Sequence, residues 1–155
     1  SDVCSSDLSG SHEKQNILYL FICLFICMMT SCSKSEIQSV RERAEAGDAD
    51  AQLTLGRFYA DGIFVSQDDA KAAQWYLSAA KQGQADAQVW LGMAYETGRG
   101  VSKDYVEAYA WFDLAAASIK NSELRRDSVK ALLNTEQLQM GQRRAAELSN
   151  PDFSG

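Results

Sequence analysis

The 155-residue chain is poor in proline, histidine and thiol, with one Pro, one His and four Cys. Cys4, Cys23, Cys27, Cys32 and His12 all fall within the first 32 residues. From residue 33 onward there is therefore no disulfide framework, no His- or Cys-based metal site, and no Ser-His-Asp or Cys-His nucleophile. A single Pro and ten Gly exclude collagen-like and Pro-rich disordered classes. Positive charge is also scarce. The formal net charge of −6 argues against a general nucleic-acid binder, which needs a basic face to displace counterions from phosphate. Phosphate-cradling and dinucleotide glycine patterns are absent, as is a comb of carboxylates for calcium, so no cofactor is expected. What remains, 46% hydrophobic and 10% aromatic residues in a chain of one-domain length, is enough for a core.

The longest apolar run, ILYLFICLFICMM (Ile17 to Met29), has 13 residues. That matches the ~7–15 of a signal-peptide core and falls short of the ~20 needed to span a bilayer. Small residues Thr30 and Ser31 then precede Cys32. The segment resembles a bacterial lipoprotein signal, although Met29 stands where the usual box has Leu. The resemblance implies that residues 1–31 are removed, that Cys32 becomes an acylated N-terminus, and that residues 32–35 act as a tether. Ser33, in place of Asp, implies the outer membrane, facing the periplasm. Two or more acyl chains, at about 0.8 kcal/mol per buried methylene, would hold such a protein firmly. Within the leader, Ser1–Leu8 resembles translated adapter sequence and is set aside from fold reasoning. An ordinary secretory signal or a short uncleaved anchor, with Cys32 incidental, is the alternative; the signal would leave a soluble secreted or periplasmic protein.

Downstream, the chain repeats itself. Residues 47–82 and 83–118 align without a gap at 16 of 36 identical positions. GDADAQLTLGRFYADG is answered by GQADAQVWLGMAYETG, and VSQDDAKAAQWYLSAA by VSKDYVEAYAWFDLAA. Shared positions include Leu55/Leu91, Gly56/Gly92, Tyr59/Tyr95, Gly62/Gly98 and Trp75/Trp111. Ala51, Leu55 and Tyr59 lie on one face of a 3.6-residue period, and so do Ala72, Trp75 and Ala79. Each unit thus reads as two helices, the first ended by Gly62 or Gly98 as a left-handed cap. Ser66 and Ser102 are expected to N-cap the second helix, with Asp68 and Asp104 in its first turn. Gly56 and Gly92 stand mid-helix, where Gly costs about 1 kcal/mol against Ala; its recurrence at one phase implies close approach of the paired helix. Trp75 and Trp111 are expected to fill the gap between units. Where the second unit has GRGV, the first has GIFV, putting Phe64 at the position of Gly100. If that position takes positive φ, Phe64 must turn differently or bear strain. The apolar pair Ile63–Phe64 is then either a contact site or folds back onto the N-terminal helix.

This pattern, A-x-A-Q-x-x-L-G-x-x-Y-x-x-G-x-x-V-x-x-D followed by A-x-x-W and A-A, resembles the Sel-one-like repeat, a paired-helix unit akin to tetratricopeptide repeats. The resemblance implies an all-α superhelical solenoid of short helix-turn-helix repeats with terminal caps. Its domain would span residues 36–149: a half-repeat at 36–46, repeats at 47–82 and 83–118, and a divergent cap at 119–149, before a tail at 150–155. KNSELRRDSVKALL and NTEQLQMGQRRAAELS read as two amphipathic helices, the second opening at an Asn134–Thr135 cap. A terminal unit of this kind is expected to turn a polar face to water. Some family members are cysteine-rich and linked to β-lactam binding; none of those cysteines is present here.

The implied function is non-enzymatic: an adaptor or scaffold of the bacterial cell envelope that binds a protein or peptide along a groove lined by first helices. Candidate contact residues lie one position off the core face: Asp50, Leu53, Arg57 and Asp61 in the first unit, Asp86, Val89, Met93 and Glu96 in the second. Leu53, Val89 and Met93 could instead be buried under the neighbouring unit. The rival readings are a cell-wall or β-lactam-related hydrolase, which would need converging Ser, Lys and carboxylate groups, and an inhibitory lipoprotein of an envelope enzyme. The anchor is directly testable. Cys32→Ser should move the protein from the membrane pellet to the soluble fraction on cell fractionation; retention in the pellet would contradict lipidation at Cys32.

Overall fold

The computed structural model describes residues 36–150. Cys32, the signal-like segment, the tether and residues 151–155 of the tail lie outside the described residues. Among the described residues the chain is helical throughout, without a strand. Helix α1 covers 36–45, and the order continues α2 (Ala49–Asp61), α3 (Asp69–Lys81), α4 (Ala85–Thr97), α5 (Tyr105–Ala116), α6 (Asn121–Lys130) and α7 (Thr135–Leu148). From α2 to α6 each helix packs on its sequence neighbours, and α7 returns onto α5; Ala44 of α1 lies in a cluster with Ala51 and Leu55 of α2. No helix among the described residues is long and apolar enough to cross a membrane.

Each helix of the two repeats starts and stops for a local chemical reason. Gly62 and Gly98 take left-handed φ of 69° and 78° and close α2 and α4. The expected serine caps are corrected: Asp68 and Asp104, not Ser66 and Ser102, are the N-caps of α3 and α5. The Asp68 carboxylate accepts from the Lys71 N–H at 3.0 Å, and Asp104 accepts from the Val106 N–H at 2.8 Å. Both caps are fixed in space by the preceding helix. The Asp68 N–H donates to the Tyr59 carbonyl and the Asp104 N–H to the Tyr95 carbonyl, each at 2.9 Å. A serine two residues earlier falls outside this clamp. The Lys71 N–H, and then the Lys71 side chain, hold the Asp68 carboxyl below the usual carboxylate range.

Gly56 and Gly92 are explained by space. A Cβ on Gly56 would meet the Tyr76 ring at 2.6 Å, and one on Gly92 the Phe112 ring at 2.8 Å. Tyr76 and Phe112 are 36 positions apart and both buried, so each first helix lies against an aromatic ring of its own second helix. Trp111 lies deep in a cluster with Ala72, Tyr76, Ala79 and Ala80 of α3 and Leu91 of α4, filling the space between the two units. Its indole Nε1 has no partner among the described residues, so the ring serves by volume. Trp75 holds the corresponding place one period earlier, half-buried against Ala44, Ala51 and Leu55.

Gln52 and Gln88 add a polar tie at the same joints. The Gln52 side-chain amide donates to the Ala44 carbonyl at 3.1 Å, and Gln88 to the Ala80 carbonyl at 3.3 Å. Both glutamines are buried, and each satisfies a carbonyl near the end of the previous helix.

Phe64 does bear strain, with φ of 62°, where Gly100 has 73°. A left-handed non-Gly residue costs about 1–2 kcal/mol. Phe64 offsets part of this by meeting the Phe58 ring edge-on at 5.1 Å, and Phe58 in turn packs against the cluster of Ala44, Ala51 and Leu55. Ile63 and Phe64 nevertheless remain 45% and 49% exposed. Gly100 has a second reason to lack a side chain: a Cβ there would overlap the backbone of Asp69 at the start of α3.

At the C-terminal end, Asn134 and Gln137 form a reciprocal capping box that opens α7. Gly141 of α7 repeats the close approach, with the Tyr109 ring 2.8 Å from its would-be Cβ. Leu124, Leu132 and Met140 are the exposed large apolar residues of this C-terminal pair.

Gly56→Ala is expected to destabilise the fold by about 1–3 kcal/mol, overpacking outweighing the helix-propensity gain of about 1 kcal/mol. In a Tyr76→Leu background the same change should cost far less; equal urea-denaturation losses in both backgrounds would contradict the ring-on-glycine contact. Burial, and then the Asp61 carboxylate, push the Tyr76 hydroxyl up to about 12 from 10.0. Its neutral form therefore adds stability that is complete below about pH 10 and is lost as pH rises toward about 12. Thermal unfolding across that range should reveal the loss, and Tyr76→Phe should reduce it.

Candidate functional site

The joint between the two units leaves a cleft of about 110 Å³. Its floor is the N-terminal half of α3, where Ala72 and Ala73 keep the surface low beside Tyr76. One wall is the end of α2, ending in Asp61; the other is α4, with Trp90, Met93 and Thr97. Arg99, in the loop after α4, closes the rim by donating to the Asp69 carboxylate at 2.9 Å.

Trp90 is the exposed aromatic of this cleft. Its ring is stacked on that of Tyr76, with centroids 6.1 Å apart and planes 19° from parallel, and the residue remains 39% exposed. An aromatic held in place by one neighbour and still open to solvent loses little conformational freedom on binding, and this is why such residues recur at protein interfaces. The Asp61 carboxylate makes no hydrogen bond or ion pair among the described residues. The Thr97 hydroxyl is already used, donating to the Met93 carbonyl at 2.7 Å.

Of the eight contact residues expected from sequence, the structure brings Asp61 and Met93 into this cleft. Arg57 is exposed one turn before Asp61 but does not line it. Asp50 and Asp86 are exposed at the starts of α2 and α4, and Asp50 accepts from the Gln84 side-chain amide at 3.3 Å. Leu53 packs against the core cluster built around Trp111, and Val89 against that built around Phe112. Met93 also packs against the Phe112 cluster, so it serves core and cleft together. Glu96 is half-buried and 3.8 Å from Arg125 of α6.

Sequence reasoning missed Trp90, Tyr76, Asp69 and Arg99. Trp90 carried a usable signal: it puts a large aromatic where the first repeat has the small, polar Thr54. A second opening, between α5 and α7, is lined by Glu107, Met140, Arg143 and Arg144; Arg144 donates to Glu107 there at 2.8 Å. No cluster of His, Cys, Asp and Glu suited to a metal ion occurs among the described residues.

Comparison with known proteins bears on these helices directly. The Sel1 repeat model matches residues 49–84 and 85–118. A crystal structure of c5321, a protective antigen of uropathogenic Escherichia coli strains displaying an SLR fold, is 36% identical, with a TM-score of 0.70. The alignment covers 72% of this chain and 24% of that one. A Sel1 repeat protein from Oxalobacter formigenes is 31% identical, with a TM-score of 0.60, over 84% of this chain and 57% of its own. The chain thus spans about a quarter of the first structure's length and little more than half of the second's. No curated protein matches the sequence. The Sel1 repeat fold is typically a protein-interaction scaffold. Two tandem units in one register match these proteins in sequence and in three dimensions, and residues 49–118 of the chain are two Sel1 repeats.

Proposed function

We propose that this protein is a non-enzymatic adaptor that binds a segment of a protein partner in the cleft between its two repeats. The observation that carries this reading is Trp90: a large aromatic, stacked on Tyr76, left 39% exposed at the joint between units. The cleft's size supports it. A volume of about 110 Å³ is well below the ~300 Å³ at which small-molecule sites begin, and suits a side chain of a larger ligand. Neither serine nor lysine lines the cleft, so the Ser-Lys-carboxylate set of the hydrolase reading has no support from it. The apolar segment before Cys32 supports action at the bacterial envelope, with the lipid-anchored repeats facing the periplasm.

Site-specific photocrosslinking tests the reading. A photoreactive residue at Met93 or Arg57 in the full chain, activated in intact envelopes, is expected to give a discrete adduct; one at Glu136 on α7 is not. Trp90→Ala should reduce that adduct by about tenfold or more, as truncating an interface aromatic does, with far-UV circular dichroism unchanged. Equal adducts at Met93 and Glu136, or an adduct indifferent to Trp90→Ala, would overturn the assignment of the cleft.

A further inference from the structure

The chemistry of the cleft also identifies the kind of side chain it receives. We propose that it takes a single cationic side chain, lysine or arginine, from the partner; this rests on the protein-binding reading above. Two features select that class. The first is an apolar trough: Ala72 and Ala73 on the floor with Trp90 and Met93 on the wall offer a surface to the methylenes of a long side chain. The second is an unmatched charge at its edge. Asp69 is already neutralised by Arg99 at 2.9 Å, but Asp61 has no ion-pair partner among the described residues.

Other occupants fit less well. A purely apolar side chain would cover the trough and leave Asp61 partly dehydrated without compensation, which costs free energy. A carboxylate would be repelled by the unpaired Asp61, while Arg99 on the rim is already engaged by Asp69. An ammonium or guanidinium gains twice, from the Asp61 carboxylate and from the negative face of the Trp90 indole, the strongest aromatic partner for a cation. Two cations oppose it: Arg99 on the rim, whose charge is taken up by Asp69, and Arg57, a helical turn before Asp61 and outside the cleft lining. Arg57 weakens the attraction without occupying the site, so Arg57→Gln should strengthen binding.

The test uses the full chain and three blocked tripeptides, acetyl-Gly-X-Gly-amide, with X lysine, norleucine or glutamate. The readouts are the Trp90 indole N–H and Met93 methyl resonances, the first assigned by its loss in Trp90→Phe. The lysine peptide is expected to shift both saturably, and the norleucine and glutamate peptides much less. Asp61→Asn should weaken the lysine peptide about threefold to fivefold, the scale of an exposed ion pair, and added salt should weaken it further. Equal shifts from norleucine, or no shift of Trp90 with any peptide, would overturn the cation assignment. The Met93 photocrosslink decides the protein-binding reading independently, so a failure of one is distinguishable from a failure of the other.

Discussion

An aromatic ring resting on a glycine backbone is the contact on which this fold depends. Tyr76 lies over Gly56, Phe112 over Gly92 and Tyr109 over Gly141, each 2.6–2.8 Å from where a Cβ would stand. The glycine carries a helix-propensity cost, and the return is a helix pair close enough to exclude water from the joint. That closeness lets alanines alone furnish much of the surrounding surface: Ala72, Ala79, Ala80, Ala87, Ala108 and Ala115 are all buried. Beside these alanines, the rings share the buried volume with Leu55, Leu91 and Val129. The cleft arises from the same economy, because the alanine floor of α3 is low beside Tyr76.

The joints between units are made differently from the joints within them. Within a unit, packing is ring on backbone. Between units, Trp111 inserts between α3 and α4, while a glutamine at the start of each first helix bonds to a carbonyl at the end of the helix before it. The tryptophan supplies apolar area without direction; the glutamine supplies direction, because a buried amide left unpaired is costly. Together they set spacing and register at each step.

Much of this was legible in the sequence, because a repeat written twice separates signal from noise. The gapless alignment exposed the two-helix period, the glycine caps and the mid-helix glycines that imply close approach. It also placed Trp111 between units. It did not reveal which ring covers the glycine, because Tyr76 and Phe112 differ in identity and so drop out of a list of identities. The N-caps were misread for a related reason. Ser66 and Asp68 are both repeated and both capable caps, and the choice is made by the Asp68 N–H bond to Tyr59, which is tertiary. The groove was the least legible part. The spacing offers Leu53 and Val89 either to the groove or to the neighbouring unit, and both are drawn onto core clusters, while Trp90 was hidden by its mismatch with Thr54.

The glutamine ties have one more consequence. Gln52 reaches back to Ala44 and Gln88 reaches back to Ala80, the same eight-residue step taken twice, 36 positions apart. The bond is therefore indifferent to which copy supplies each end. Excising one whole period, from 47 to 82, would join residue 46 to 83 and bring Gln88 eight positions after Ala44, able to remake the lost bond with the older carbonyl. A gene built on such interchangeable couplings can lengthen or shorten by whole units without inventing a new junction.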